Sequence, residues 1–559
     1  MSSSALYLNA MGMVSALGAD KESSRATLWA DACGGVAPGG GWPADRSLHL
    51  GAVLGPLPDL DVLPTSQRSR NNALMLIALS QIRQEVDAAL STCGANRMAV
   101  ILGTSTSGIS ESEAAMAQHH ASGALPETFD LAQQEIGSPA EALAGLLGVT
   151  GPAYVVSTAC SSSAKAFASA ARLLRAGVCD AAIVGGVDSL CQFTIAGFSA
   201  LESISVSRCN PMSANRNGIN IGEGAALFLV TRKPGPVRLA GWGEASDAHH
   251  ISAPDPSGKG AVAAMREALQ RAQLQAAEVN YLNMHGTATL QNDAMESKAI
   301  WELFGDHVPV SSTKPLTGHA LGAAGAIEAA ICWLSLVDNP TGLLPPHWWD
   351  GAVDASLPAI SLVKPGQLRG QALDYVMSNS FAFGGSNASL VFGRVASAAQ
   401  DADSSLNAAG IAPVESLVPH SGSMSLLTRV VQADAQGLQA EVHIHAEDLF
   451  CVDGVVGGWV GLEYMAQAIA AWAGWHARQR GESPRIGFLL GCRKYTSQRS
   501  AFLPGELLHV RVQVQFQADN GLGQFDCQIE IADELVATGA LTVFEPPNAN
   551  EFLQETNLG

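Results

Sequence analysis

Between Val395 and Ala412 the sequence reads VASAAQDADSSLNAAGIA, a run of small and polar residues with no apolar period. Such a stretch has no face to bury, so it reads as a flexible linker, placed at 395–410. It divides the chain into two parts whose hydrophobic patterns differ in kind. Residues 1–394 are rich in Gly, Ala and short β-branched runs. Residues 411–546 carry one long helical pattern and several alternating runs, and 547–559 is a polar tail. With 559 residues, 47% of them hydrophobic and 15% charged, both parts have material for a core, and wholesale disorder is excluded.

A formal net charge of −20 argues against a nucleic-acid partner, because tracking phosphates requires clustered Lys and Arg. The two most apolar stretches, Gly322–Val337 and Val460–Trp475, contain Glu328 and Glu463 and fall short of a membrane span. No basic segment precedes the apolar residues near the N-terminus, so no secretion signal is expected and the protein reads as cytoplasmic. Ten scattered cysteines without a C-x-x-C pair suggest neither a zinc ribbon nor a dithiol, and no metal site is expected.

In the first part, Tyr154-Val-Val-Ser-Thr is a strand pattern followed by a helical pattern over Ala159–Ala176 and a buried strand over Asp180–Gly186. Val308–Thr313, Ala320–Leu336 and Asp374–Ser380 repeat that plan, which points to α/β layers and an internal duplication. Cys160 falls at the first strand-to-helix junction. Free N–H groups and the helix dipole there favour a thiolate, so a lowered pKa is expected; a buried structural cysteine is the alternative. His285, in Asn283-Met-His-Gly-Thr-Ala-Thr, and His319, in Leu316-Thr-Gly-His-Ala-Leu-Gly, both follow apolar strands and are flanked by Gly and Thr. A thiol with two imidazoles suits thioester chemistry: the Cys accepts an acyl group, and imidazole N–H groups stabilise an enolate or oxyanion.

These segments, with Lys314–Gly325 and Asn379-Ser-Phe-Ala-Phe-Gly-Gly-Ser-Asn, resemble the elongating β-ketoacyl-ACP synthases over residues 1 to 394. The resemblance implies a thiolase-like five-layered αβαβα duplication. It implies that Cys160 receives the growing chain from an acyl carrier protein, and that His285 and His319 hold the enolate left when a malonyl extender loses CO₂. By the same resemblance Lys314 and Glu328 form a buried ion pair behind the histidine loops, and Phe381, Phe383, Gly384 and Gly385 gate the acyl pocket. Arg68 and Arg70 stand where relatives carry basic carrier-docking residues; ordinary solvated arginines are the alternative. The stretch Cys209-Asn-Pro-Met-Ser-Ala-Asn-Arg-Asn-Gly departs from the family's R-P-F-D-x-x-R-D-G pattern.

In the second part Val455–Arg480 reads as one helix, with Leu462, Met465, Ala466, Ile469 and Trp472 at helical spacing. Leu507–Phe516, Gln524–Ile531 and Val536–Phe544 read as antiparallel strands, an α+β plan. His420 follows a proline, and Glu463 lies among apolar residues, where a carboxylate is costly unless paired or used. Together with Met465-Ala-Gln, they resemble the hotdog-fold 3-hydroxyacyl-ACP dehydratases of aryl-polyene type, although Val455-Val-Gly-Gly-Trp replaces the usual Pro-Gly. That likeness implies that His420 removes the C2 proton and that Glu463, its pKa raised by burial, protonates the leaving hydroxyl. The expected protein is therefore a homodimer that condenses and then dehydrates, with no cofactor beyond the phosphopantetheine of its acyl carrier protein. The sequence has no G-x-G-x-x-G after a strand, so a separate 3-ketoacyl reductase is expected to act between the two reactions. A thioesterase, or a non-catalytic dimerisation or acyl-binding module, is the alternative for the second part.

Overall fold

The computed structural model describes all residues except 1–4, 40–46, 396–413, 415–416, 419–423, 446–447, 453, 480–486, 519–520, 533 and 547–559. The chain separates into two compact units, 1–395 and 396–559. The stretch read as a linker, past Val395, and the polar tail lie outside the described residues.

The first unit is built twice on one plan. Its first half contains β1 (Tyr7–Ser15), β2 (Met98–Gly103), β3 (Ala153–Val156), β4 (Ala181–Asp188) and β5 (Gly224–Thr231). Its second half contains β6 (Val237–Ser246), β7 (Tyr281–Asn283), β8 (Pro309–Ser311), β9 (Tyr375–Ala382) and β10 (Ser386–Arg394). The halves run β3-β2-β4-β5-β1 and β8-β7-β9-β10-β6, the same order strand for strand. In each half the first three neighbours are parallel and the rest antiparallel. The halves join where Tyr7 and Leu8 of β1 pair with Arg238 and Val237 of β6.

The helices that follow the third strand of each half, α1 (Ser162–Arg175) and α3 (Ala324–Leu336), fill one core between the two halves of the sheet. Every residue of α3, AGAIEAAICWLSL, is buried. Apart from Glu328, paired with Lys314, and Ser335, which donates to the Ile331 carbonyl, it is apolar on all sides and has no face to give to water. Arg70–Ser80 and Ser138–Leu147 cover the outer face of the first half, and Lys259–Ala272 with α2 (Leu290–Phe304) cover the second. The result is the thiolase-like αβαβα layering.

The second unit is a six-stranded antiparallel sheet packed on one helix, a hotdog-like α+β domain. Its elements are β11 (Arg429–Ala433), β12 (Gly437–His443), α4 (Gly461–Gln479), β13 (Phe488–Ser497), β14 (Leu507–Gln517), β15 (Leu522–Ile531) and β16 (Glu534–Phe544). The strand order is β11-β12-β14-β15-β16-β13. Alternate residues of β14 and β15 (Leu508, Val510, Val512; Phe525, Cys527, Ile529) turn inward onto Tyr464, Met465, Ala468 and Trp472 of α4.

Two expectations are corrected here. Strands β11 and β12 precede the helix, where no strand was read. The helix starts at Gly461 rather than Val455, because Val455–Gly457 is a short strand paired to Ala501–Phe502. A Cβ on Gly458 would lie 2.3 Å from the Arg499 carbonyl, so the chain passes tightly against a neighbouring backbone there, and a short 3-10 turn over Gly458–Val460 leads from the strand into the helix. Among the described residues no helix is long and apolar enough to cross a membrane.

Candidate active sites

Cys160 lies in the short turn from β3 to α1. Ala159 takes a left-handed conformation (φ +51°), which bends the chain sharply and turns the next side chain inward. His319 occupies the matching turn of the second half, between β8 and α3, so the duplication brings the two residues face to face. His319 Nε2 is 3.1 Å from Cys160 Sγ. His285 follows β7, and its ring meets that of His319 edge to face with centroids 5.2 Å apart. All three side chains sit beyond the carboxyl ends of strands, the usual place for a site in an α/β sheet.

Behind them, the buried Lys314 Nζ donates to Glu328 Oε1 and to the His285 carbonyl, each at 2.5 Å. Burial pushes the Glu328 carboxyl up to about 6, against the pull of Lys314. Burial, helped by the Lys314 charge, holds both imidazoles well below the usual histidine range. Burial also pushes the Cys160 thiol up to about 12, against Lys314 and the Phe383 N–H. The expected lowered pKa is therefore corrected. The sulfur precedes α1, whose first residue is Ser162, and at 5% exposure loss of water outweighs the helix end. The site rests as a neutral thiol, two neutral imidazoles and one compensated ion pair.

Phe381 is buried 6.2 Å from the His285 ring, and the Phe383 ring tilts against Phe198 at 5.5 Å. Gly384 and Gly385 take φ of +80° and +72°, which only glycine adopts readily. The loop is tied to its neighbour by Gly384 N–H donating to the Ile251 carbonyl at 2.8 Å. Phe198, Phe381 and Phe383, with Leu201 and Ile219, line a cavity of about 320 Å³ that ends on Cys160.

In the second unit Glu463 lies in the first turn of α4. It is half-buried rather than buried, because α4 gives Tyr464 and Met465 to the sheet and turns Glu463 aside. It heads a groove of about 170 Å³ walled by Ala466, Ala470, Phe488 and Phe544. Gln467, wholly buried, donates to Glu463 Oε1 at 3.0 Å and to the Met424 carbonyl at 2.8 Å, and accepts from Leu426 N–H at 2.9 Å. The helix is thus clamped to the segment that follows 419–423. His420 lies outside the described residues.

The β-ketoacyl synthase N-terminal domain family matches residues 66–234, and its C-terminal domain family matches 237–347. Nodulation protein E of Rhizobium meliloti is 32% identical over 362 residues, 62% of this chain and 88% of that protein. The chain belongs to the β-ketoacyl synthase family. The ketosynthase ApeO of Xenorhabdus doucetiae, solved in complex with its chain length factor ApeC, matches with a TM-score of 0.66 and 44% identity over 70% of this chain and 98% of that one. A 3-oxoacyl-[acyl-carrier-protein] synthase 2 of Staphylococcus aureus is 36% identical over 264 residues, covering 44% of this chain and 64% of that enzyme. The synthase carries a further domain, since the ApeP dehydratase family matches residues 412–554. It is a condensing enzyme with a dehydratase-family domain in the same chain.

Two features of the synthase site were not read from sequence. Glu296 of α2, fully buried, accepts the N–H groups of His285 (2.8 Å) and Gly286 (2.7 Å) and an Asn379 amide hydrogen (3.3 Å). Burial pushes it up to about 7. Its signal was a pair of acids, Asp293 and Glu296, on the helix face that also carries Met295, Ala299 and Ile300. Arg70, read as a carrier-docking residue, makes a two-pronged ion pair with the buried Glu223 (2.5 and 2.8 Å). Arg68 pairs with the exposed Asp61 at 2.8 Å.

Proposed function

We propose that this synthase condenses a malonyl extender with an acyl chain held on Cys160, and that its second domain dehydrates the 3-hydroxyacyl chain after an outside 3-ketoacyl reductase has acted. The observation that carries the first reaction is the 3.1 Å contact of Cys160 Sγ with His319 Nε2, beside His285, at the end of a cavity. The sulfur attacks the thioester carbonyl of an acyl carrier protein as His319 takes the thiol proton. That proton leaves with the carrier thiol. The Phe383 N–H, aimed at the sulfur, is in place to stabilise the oxyanion. Malonyl-carrier then loses CO₂, and its electron pair becomes an enolate whose oxygen accepts N–H bonds from His285 and His319. The enolate carbon attacks the Cys160 thioester, giving a 3-ketoacyl carrier and expelling Cys160 as the thiolate, which takes up one proton from solvent to return to the thiol. Imidazoles held neutral suit this role, because they donate N–H without adding charge to a buried site.

For the second reaction, His420 removes the C2 proton and Glu463 protonates the 3-hydroxyl, so water leaves and a trans-2-enoyl thioester remains. The ApeP dehydratase match and the position of Glu463 at the head of a groove support this over a thioesterase. Substrates arrive on phosphopantetheine, and no other cofactor is needed for either step. Arg68 is the better placed of the two arginines for carrier docking, since Arg70 is committed to Glu223.

We read the assembly as a homodimer. Edge strand β3 pairs only with β2 among the described residues, whereas its counterpart β8 is covered by Ser361–Leu362. A second copy would cover that open edge.

Mass spectrometry after incubation with acyl-carrier tests the reading. It predicts one acyl group on Cys160, and an adduct elsewhere or none at all overturns it.

A further inference from the structure

His347, in Leu344-Pro-Pro-His-Trp-Trp, is 2% exposed and takes no part in the chemistry above. Its Nδ1 accepts the Ser312 backbone N–H at 3.1 Å, which leaves the ring hydrogen on Nε2, 3.0 Å from the Pro211 carbonyl. Ser312 in turn donates its hydroxyl to the Gly286 carbonyl at 2.6 Å and accepts Lys314 N–H at 3.4 Å. Gly286 is the residue after His285 and takes φ +38°; a Cβ there would lie 2.5 Å from Ser312 Cβ. The Ser312 side chain is therefore packed and hydrogen-bonded against the Gly286 backbone, and a shift of Ser312 shifts the His285 turn. Pro211, at the other end, belongs to the stretch Cys209–Gly218 that departs from the family's usual sequence.

We propose that His347 is a positioning residue for decarboxylation: by holding the Ser312 amide it fixes the turn that aims His285. Burial holds its imidazole down at about 4, so it stays neutral and keeps both hydrogen bonds at any pH where the enzyme works. His319 lies further along the same β8–α3 connection as Ser312, but its own backbone is tied to Asn220 and Gly222 (2.7 and 3.0 Å), so acyl transfer to Cys160 depends on His347 far less than decarboxylation does.

The inference rests on His285 acting in decarboxylation, and two side chains divide the function of the imidazole. An asparagine oxygen falls where Nδ1 is and can accept from Ser312; a glutamine nitrogen reaches where Nε2 is and can donate to Pro211. Release of CO₂ from malonyl-carrier and acylation of Cys160 are measured on the full chain carrying His347→Asn, His347→Gln, His347→Ala or, as reference, His285→Ala. Decarboxylation is expected to fall about tenfold in His347→Gln and His347→Ala, the scale of one lost hydrogen bond, and to stay within about threefold of wild type in His347→Asn. Acylation is expected to stay within about twofold in all three. A His285→Ala chain with normal decarboxylation removes the underlying reading. If His285→Ala fails but His347→Gln decarboxylates normally, or if His347→Asn and His347→Gln lose both reactions equally, the positioning role is overturned.

Discussion

Cys160 and Glu463 occupy comparable places, each at the start of the helix that fills the middle of its unit, yet they meet water differently. Cys160 is 5% exposed at the end of its cavity, and the charges beside it are partnered: Lys314 with Glu328, and Glu296 with two backbone amides. Glu463 stands half-buried at the head of its groove, with one hydrogen bond from Gln467. The difference follows from architecture. A duplicated α/β sheet brings two turns together and walls them with five layers, so Cys160, His285 and His319 are all buried. A single sheet around one helix leaves a flank of that helix uncovered, and a carboxylate there needs another surface to exclude water. In the proposed dimer a second protomer supplies it.

That contrast makes charge removal costly in one unit and cheap in the other. Lys314→Met leaves Glu328 buried without compensation, and the first unit should lose about 3–5 kcal/mol in chemical denaturation. Glu463→Gln, at a half-exposed position, should change the stability of the second unit by less than about 1 kcal/mol. Comparable losses in the two units would erase the distinction.

The next largest effect is catalytic. His285→Ala and His319→Ala should each lower malonyl-carrier decarboxylation by about 10²-fold or more, as expected for a lost oxyanion donor. Because the Cys160 thiol is pushed up to about 12, its acylation depends on His319 as base. In His319→Ala the remaining acylation should rise about tenfold per pH unit from pH 7 to 10, following the thiolate fraction. A flat profile in that variant would mean the thiol ionises without help.

What the sequence disclosed tracks how local each signal is. Cys160, His285, His319, Lys314 and the Phe381–Gly385 loop stand in short glycine- and threonine-rich turns after strands, so the motif and the geometry coincide. Glu296 was hidden because its partners are backbone amides 10 and 11 residues away, which leave no side-chain pattern to read. Arg70 looked like a solvated cation because Glu223 lies 153 residues downstream. In the second unit β11 and β12 escaped notice because RVVQA and GLQAEVH are short and mix polar with apolar residues. The helix began late because glycines at 457 and 458 serve a strand and a close backbone approach, which periodicity cannot register.

Smaller effects sharpen the same comparison. Arg70→Glu should cost the first unit about 1–3 kcal/mol by unpairing a buried carboxylate from a partly exposed partner. Arg68→Glu should instead raise KM for carrier-bound substrate severalfold and spare a small acyl thioester, an effect of charge on docking. Equal loss with both substrates in Arg68→Glu would place that residue in the fold rather than at a docking surface. His347 gives the finest probe. Its folded pKa is depressed to about 4, so between that value and about 6.5 only the unfolded chain takes up its proton, and stability falls as pH falls. His347→Asn should flatten that slope by up to about 1.4 kcal/mol per pH unit in the first unit and leave the second unit unchanged. Identical slopes with and without His347 would contradict its buried neutral state.

The central claim is that one chain carries two independent active sites, and dehydration by a chain that cannot condense tests it most directly. Full-length Cys160→Ala is incubated with a 3-hydroxyacyl-carrier, and the enoyl product is followed by mass spectrometry beside wild type and Glu463→Gln. The account predicts wild-type dehydration by Cys160→Ala and none by Glu463→Gln, which should still condense normally. Dehydration lost with Cys160, or retained at the wild-type rate without Glu463, would contradict it.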